Sequence, residues 1–483
     1  MNVIPNFIKR LKTSNFKLIE THIDYVLVGP KFTYKIKKNV KFDFVDYTSL
    51  AKRKHFCLEE IRLNRRYSSE IYLEVVPVKL SFDGKYAFGG KGKTIDYAVM
   101  MKTLPNERRL DILLAQNRVT PKMMEQIALA VLAFHSKAKT SRQIQAFGSW
   151  QHRIKVIDLN YYELDKFYKK IINKNIYCEG KSFLHNFVYE HKLIFKNRMQ
   201  KGKIKDLHGD LHAGNIFYLN KPYIFDCIEF NQEFRYIDVA AEISFLLMEL
   251  EFKGHKELAE VFLRTYLEQS KDWELLALLD FYKCHYAIVR AMVTAMEGKL
   301  GLTQKYLKLA GKYANPKPLL IAIGGMIGSG KSTLAKKIAA ELGLSILQSD
   351  KIRKTLASIP FYSRPDKRAL KELYSPDFTK RTYASLYDQA EKYLSANESV
   401  ILDASFARIE LRRPLISIAK KTKADFFFIE SKAPEKVILK RLRIRQKEKR
   451  ISDAGVSLYY SFKKQYQTPN ELKKCANIIN FTN

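Results

Sequence analysis

The chain is poor in cysteine, in acid and in long apolar runs, and each shortage removes a class of protein. Its 483 residues include five cysteines, Cys57, Cys178, Cys227, Cys284 and Cys475, odd in number, scattered, and without a C-x-x-C spacing. A disulfide framework and the common zinc-site patterns are therefore excluded. No uninterrupted apolar run reaches the 18 or so residues that a membrane helix needs. The nearest, Val239 to Leu250, is short and carries Glu242 and Glu249. Met1 to Glu20 mixes lysines with apolar residues and lacks the separate apolar core of a signal peptide, so a reducing cytoplasm is the expected setting. The 50 acidic residues fall far short of the 85 basic ones, leaving a net charge of +35. Such an excess can mark a polyanion binder. Here the lysines run along the whole length among many Ile, Asn, Tyr and Phe, as in a protein from an AT-rich genome, and no nucleic-acid partner is expected. With 46% hydrophobic and 12% aromatic residues the chain can bury sizeable cores, and its length suggests two or three domains.

The first positive signal is Gly324-Gly325-Met326-Ile327-Gly328-Ser329-Gly330-Lys331-Ser332-Thr333, which follows the apolar run Leu319 to Ile323. It satisfies the phosphate-binding pattern G-x-x-x-x-G-K-[ST]. A buried strand, a glycine turn and a helix beginning near Lys331 aim backbone N–H groups and a helix N-terminus at one phosphate chain. Gly325, Gly328 and Gly330 shape the turn, Lys331 reaches the β/γ-phosphates, and Ser332, followed by Thr333, offers a hydroxyl to Mg²⁺. A chance glycine turn would not be expected to keep strand and helix in register, so ATP binding is expected here.

The second lies upstream, in Leu207-His208-Gly209-Asp210-Leu211-His212-Ala213-Gly214-Asn215, followed by Tyr223-Ile224-Phe225-Asp226. Asp210 and Asn215 have the D-L-x-x-x-N spacing of a kinase catalytic loop, and Asp226 comes eleven residues after Asn215. Phosphoryl transfer needs metal ligands and one placed base rather than a covalent nucleophile. Asp210 is the expected base; Asn215 and Asp226 are the expected Mg²⁺ ligands. The bland reading is an Asx-rich turn between strands.

From about residue 20 to 310 the chain resembles the aminoglycoside phosphotransferase-like branch of the protein-kinase fold, whose catalytic loop reads H-G-D-x-x-x-x-N. The resemblance implies a small β lobe and a large helical lobe, a structural role for His208, and support of the loop by Asp238 from the following helix. It also implies an ATP-phosphate lysine on the second strand of the hairpin Tyr25 to Lys37, turned at Gly29-Pro30. Period-two alternation puts Lys35 and Lys37 on one face. Overlay on V-A-I-K favours Lys37. Its acidic partner belongs on the helix Ser49 to Arg66, where Glu59 and Glu60 point about 100° apart; Glu60 is preferred. No G-x-G-x-x-G precedes the lysine, which leaves phosphate coverage in that lobe open. Tyr97 to Pro105 resembles the last strand leading to the adenine hinge, and helices at Met123 to Lys137 and Leu275 to Glu297 are expected in the larger lobe.

Asn315-Pro316-Lys317-Pro318 reads as a linker, since prolines interrupt helices. Domains are therefore expected at 1–314 and 319–483, an α+β kinase-like domain followed by an α/β P-loop NTPase domain with a parallel sheet. In the second, Leu344 to Asp350 and Ser399 to Asp403 are apolar runs ending in acids, which in a doubly wound sheet converge on the ligand crevice. Asp350 is a candidate substrate base, with Arg353 one turn later, and Asp403 a candidate metal or water ligand. Arg441 and Arg445, one helical turn apart in a strongly basic segment, suit either a solvated face or an arginine lid over the transferred phosphoryl group. Residues 317–470 resemble P-loop kinases of small hydroxyl compounds or nucleic-acid ends. The order of the halves resembles bacterial fusions of an aminoglycoside phosphotransferase-like domain with an AAA-family or P-loop ATP-binding domain. The expectation is an ATP- and Mg²⁺-dependent kinase with two sites acting on small-molecule hydroxyls, without a membrane partner. Its rivals are a nucleotide-sensing regulator with one inactive half and an RNA-end kinase or nucleic-acid-binding protein.

Overall fold

A computed structural model describes residues 4–12, 15–42, 45–171, 173–363, 365–445 and 456–482. The chain divides into two compact units, one formed by 1–262 with 279–314, the other by 315–483 with 263–278. The segment 263–278 includes the 3₁₀ turn Trp273–Leu278, so the expected helix Leu275 to Glu297 in fact starts at Leu279.

The first unit opens on an antiparallel sheet of β1 (Lys17–Glu20), β2 (Asp24–Val28), β3 (Phe32–Lys37), β4 (Tyr72–Leu80), β5 (Tyr86–Phe88) and β6 (Lys93–Lys102), in the order β1-β2-β3-β6-β4-β5. Alternation along the strands gives the sheet two faces. Tyr25, Leu27, Ile36, Val78 and Ala98 pack on one with Ile8 and Leu11. Val99 belongs to the other, which receives Cys57 and Ile61 of α1 (Leu50–Ser68). Ser49 caps α1 by accepting the Lys52 N–H. That second face also carries Lys35 and Lys37, so two cations lie under a helix.

The remainder of this unit is helical apart from the short strand pair Lys41–Phe42 with Val45–Asp46 and the pairs around the Asp210 loop. At its centre runs α2 (Val239–Phe252), buried from Val239 to Leu250. The run Val239 to Leu250 is thus an interior helix, and its Glu242 and Glu249 must find partners there. Next to it packs α3 (Leu279–Met296). Among the described residues no helix is long and apolar enough to cross a membrane.

The second unit is a parallel five-stranded sheet, in order β8-β9-β7-β10-β11, from β7 (Leu319–Gly325), β8 (Ser345–Gln348), β9 (Val400–Asp403), β10 (Asp425–Lys432) and β11 (Asn477–Thr482). Strand β7 is central and almost wholly apolar, as a strand covered on both faces must be. Leu320, Ala322, Val400, Leu402, Phe426 and Phe428 form the core beneath the helices. From the C-terminal end of β7 the chain turns into α4 (Lys331–Leu342).

Candidate active sites

In the first unit the loop 208–215 is held from below by acids of α2. Glu242 Oε1 accepts the backbone N–H of His208 at 2.6 Å and of Gly209 at 3.0 Å, while its Oε2 meets His135 Nε2 at 2.7 Å. Glu249 Oε2 accepts the Ala213 N–H at 2.6 Å. These contacts replace the role expected of Asp238. That residue caps α2 through the Ala240 N–H and forms a buried two-bond pair with Arg198, at 2.6 and 2.9 Å, because α2 places it at the helix mouth rather than beneath the loop. His208 accepts the Asp210 N–H on Nδ1 and bonds the Phe225 carbonyl through Nε2, tying the loop to the strand that precedes Asp226.

Asp210, Asn215 and Asp226 come together. Asn215 Nδ2 donates at 3.0 Å to both the carbonyl and Oδ2 of Asp210, which turns the amide oxygen the other way. The Asp226 carboxylate feels the Asp210 charge, and it has a positive φ of 64° that presents its side chain beyond the Ile224 strand. Both side chains reach solvent, at 38% for Asp210 and 42% for Asp226, whereas Lys35, Glu60 and Asp24 beside them are buried. Burial would raise the Asp210 carboxyl, but His212 more than offsets this and brings it down to about 2. For Asp226 the same burial effect is overcome by Lys35, and the carboxyl lies below its ordinary value.

The two lysines of β3 separate here. Lys35 Nζ is 2.5 Å from Asp226 Oδ1 and 3.1 Å from Glu60 Oε1, with Asp24 Oδ2 at 3.5 Å. Lys37 has a side chain at 0% exposure and meets Glu60 Oε2 at 2.5 Å, Asp24 Oδ1 at 3.2 Å, and Glu229, which also accepts the Tyr47 hydroxyl at 2.7 Å. Lys37, preferred on sequence, therefore lies in a closed cluster. Lys35 borders the half-open carboxylates. Burial would depress both ammonium groups, but the surrounding carboxylates hold them well above the ordinary lysine value. Glu60, wholly buried, joins both lysines and is pushed up by that burial. Glu59 instead pairs with Arg62 at the surface.

Sequence reading missed Asp24, Glu229, Glu242 and Glu249. The last two did carry a signal, because acids within an apolar helical run imply buried partners. Among the described residues no cluster of three His, Cys, Asp or Glu groups is arranged to hold a metal alone. Asn215 and Asp226 supply hard oxygens of the kind Mg²⁺ takes when phosphates complete its shell.

In the second unit Gly325 has φ 130°, and a Cβ there would stand 2.3 Å from the Ser431 carbonyl, so only glycine lets the loop leave β7 against β10. Gly328 and Gly330, also at positive φ, complete the turn, and α4 begins at Lys331 with Ser332 and Thr333 in its first turn. Lys331 Nζ donates to the Met326 carbonyl at 2.9 Å, across the loop. Asp403, at the end of β9, accepts from Gln348 Nε2 at 3.0 Å and bonds Ser332, within the field of Lys331. Burial raises its carboxyl against the pull of those partners. The strand before Asp350 ends earlier than expected, at Gln348, because Ser349 begins a helix, α5 (Ser349–Leu356), whose first turn holds Asp350. Arg353 is buried against the Tyr374 ring at 4.7 Å and donates to Leu373 O. Arg441, on α6 (Glu435–Arg445), donates to the P-loop carbonyl of Ser329 at 3.2 Å. The Arg445 side chain lies outside the described residues.

Residues 320–469 match the family model described as AAA domain. Over 414 residues the chain is 28% identical to the uncharacterized protein Rv2004c of Mycobacterium tuberculosis, covering 84% of this chain and 80% of that protein. The Mycobacterium bovis protein Mb2027c matches to the same extent. Solved structures similar in part include choline kinase of Cryptosporidium parvum, at 11% identity and TM-score 0.41 over 62% of this chain and 88% of that one. A gluconokinase of Sinorhizobium meliloti is similar at 20% identity and TM-score 0.25, over 34% and 82%.

Proposed function

We propose that the protein is an ATP-dependent phosphotransferase with two nucleotide sites, each transferring a phosphoryl group to a hydroxyl of a small molecule. The observation that carries this reading is the meeting of Asp210, Asn215, Asp226 and Lys35, where the two aspartates reach solvent and Asp24, Glu60, Lys37 and Glu229 beside them are buried and paired. In the first unit, which we read as a kinase-like domain over 1–314, Asp210 is the base. It takes the acceptor's hydroxyl proton as the new O–P bond forms and the bond to ADP breaks. Lys35, rather than Lys37, faces the nucleotide phosphates, with Glu60 fixing its position. Mg²⁺, when bound between Asn215 and Asp226, supplies neutralisation of phosphate charge.

In the P-loop unit the same chemistry falls to Lys331 for the phosphates, Ser332 and Asp403 for Mg²⁺, and Asp350 for the acceptor. Arg441 touches the loop where charge develops, which supports the lid reading over a solvated face. The setting we infer is cytoplasmic, with no nucleic-acid or membrane partner. The test is a screen of a cellular metabolite pool for phosphorylated products made by the full chain, with Asp210→Asn and Lys331→Ala as separate blanks. Products that vanish in one blank belong to that unit. Products that persist in both would overturn the two-site reading.

A further inference from the structure

We propose that His212 is the positioning residue of the Asp210 site. It points its Nε2 proton at Asp210 Oδ2, so that Oδ1 is the oxygen that receives the acceptor's proton. The proposal rests on the phosphotransferase reading of the first unit.

Three observations lead to it. First, the Gly214 N–H donates to His212 Nδ1 at 3.0 Å, which makes that nitrogen an acceptor and puts the ring proton of the neutral form on Nε2. Second, Nε2 lies 3.4 Å from Asp210 Oδ2, the same oxygen that receives Asn215 Nδ2 at 3.0 Å. The imidazole thus approaches the one carboxylate oxygen that Asn215 already binds. Among the described residues no hydrogen bond reaches the other, Oδ1. Third, a Cβ on residue 214 would stand 2.7 Å from His212 Cε1 and 3.0 Å from its Nδ1. The glycine therefore lets the imidazole lie against its own loop, and the ring is clamped rather than free to rotate. The outer side of the ring rests on α2, with the Phe245 ring centroid 5.7 Å away and Glu249 Oε2 3.8 Å from Nδ1. Glu249 is already engaged by the Ala213 N–H, and Arg290 of α3 lies within the field of both carboxylates.

A base that must meet a hydroxyl in one orientation gains from having its second oxygen tied, because a misaimed carboxylate loses reaction geometry without losing nucleotide affinity. The side chains of Asn and Gln can divide the two functions of His212. Asn places a polar atom near the position of Nδ1 and can still accept from Gly214, but it does not reach Asp210. Gln extends an amide N–H to the position of Nε2.

The experiment uses the full chain carrying Lys331→Ala, which silences the P-loop site, and follows turnover of Mg-ATP to ADP together with ATP binding. His212→Gln is expected to keep at least a third of the turnover. His212→Asn is expected to lose roughly 10-fold to 100-fold in kcat with KM for ATP unchanged. Asp210→Asn is run alongside: if it leaves turnover intact, the phosphotransferase reading itself fails. If Asp210→Asn abolishes turnover while His212→Asn behaves as the parent, or if Asn and Gln lose equally, the positioning role is wrong. Independently of activity, ¹⁵N-histidine NMR of the parent, with the His212 signals identified by their loss in His212→Gln, reads the tautomer. An Nε2 without a proton would overturn the proposal.

Discussion

Lys35 Nζ lies 2.5 Å from Asp226 Oδ1, a contact across 191 residues of chain, while Lys37 two positions further along the same strand is sealed among Asp24, Glu60 and Glu229. Replacing each by Met should therefore have different consequences. Lys37→Met leaves buried carboxylates without their cation and should cost about 3–5 kcal/mol of stability in the first unit, read by denaturant unfolding. Lys35→Met should cost less stability, because Asp226 is 42% exposed to water, but should lower turnover at that site by on the order of 10². The reverse pattern would return the phosphate role to Lys37.

Asp210→Asn should leave Mg-ATP binding in the first unit nearly intact and reduce phosphoryl transfer by on the order of 10² to 10⁴, the contribution of a placed base. Asp226→Asn should instead raise the magnesium concentration needed for turnover, since it removes a charged ligand. Identical magnesium dependence and residual rate in the two variants would contradict this division of roles.

The Asp210 carboxyl is brought down to about 2 from an ordinary 3.8. A folded value below the unfolded one means that the group favours the folded state above the unfolded value and that this contribution is lost as pH falls through the folded one. Asp210 should therefore remain ionised at every pH above roughly 4, and it should not set an acid limb of activity in that range. A ¹³C carboxyl titration of Asp210 in the magnesium-free protein checks this; a midpoint above 4 would refute it.

Lys331→Ala should abolish nucleotide turnover by the P-loop unit while the first unit still binds ATP. Titration of the full chain with a fluorescent ATP analogue should fall from two binding events to one. Two undiminished events would remove Lys331 from the phosphate site.

Despite the net charge of +35, short RNA should bind no tighter than roughly 10⁻⁶ M at physiological salt, the ordinary nonspecific range. Tighter binding, measured by fluorescence anisotropy, would favour the RNA-end kinase instead.

Much of this was legible in the chain itself, and the reason is range. A P-loop needs consecutive residues, so Gly325 to Ser332 after an apolar run identifies strand, turn and helix without help from elsewhere. The spacing of Asp210, Asn215 and Asp226 is local in the same way. What the sequence left open were choices between neighbours. Lys35 and Lys37 share a face by the period of a strand, and only the arrival of Asp226 on one and Glu229 on the other separates them. Asp350 follows so closely on an apolar run that strand and helix both fit it, and the helix start at Ser349 decided the matter. The support of the loop 208–215 went to Glu242 and Glu249 rather than Asp238, because α2 turns those two acids toward the loop amides and leaves Asp238 at its mouth facing Arg198. Residue type and spacing along the chain determined which chemistry could occur. Where each of two equivalent side chains lies was decided by tertiary contacts, since a buried charge is stable only where its counter-charge is delivered from a distant part of the chain.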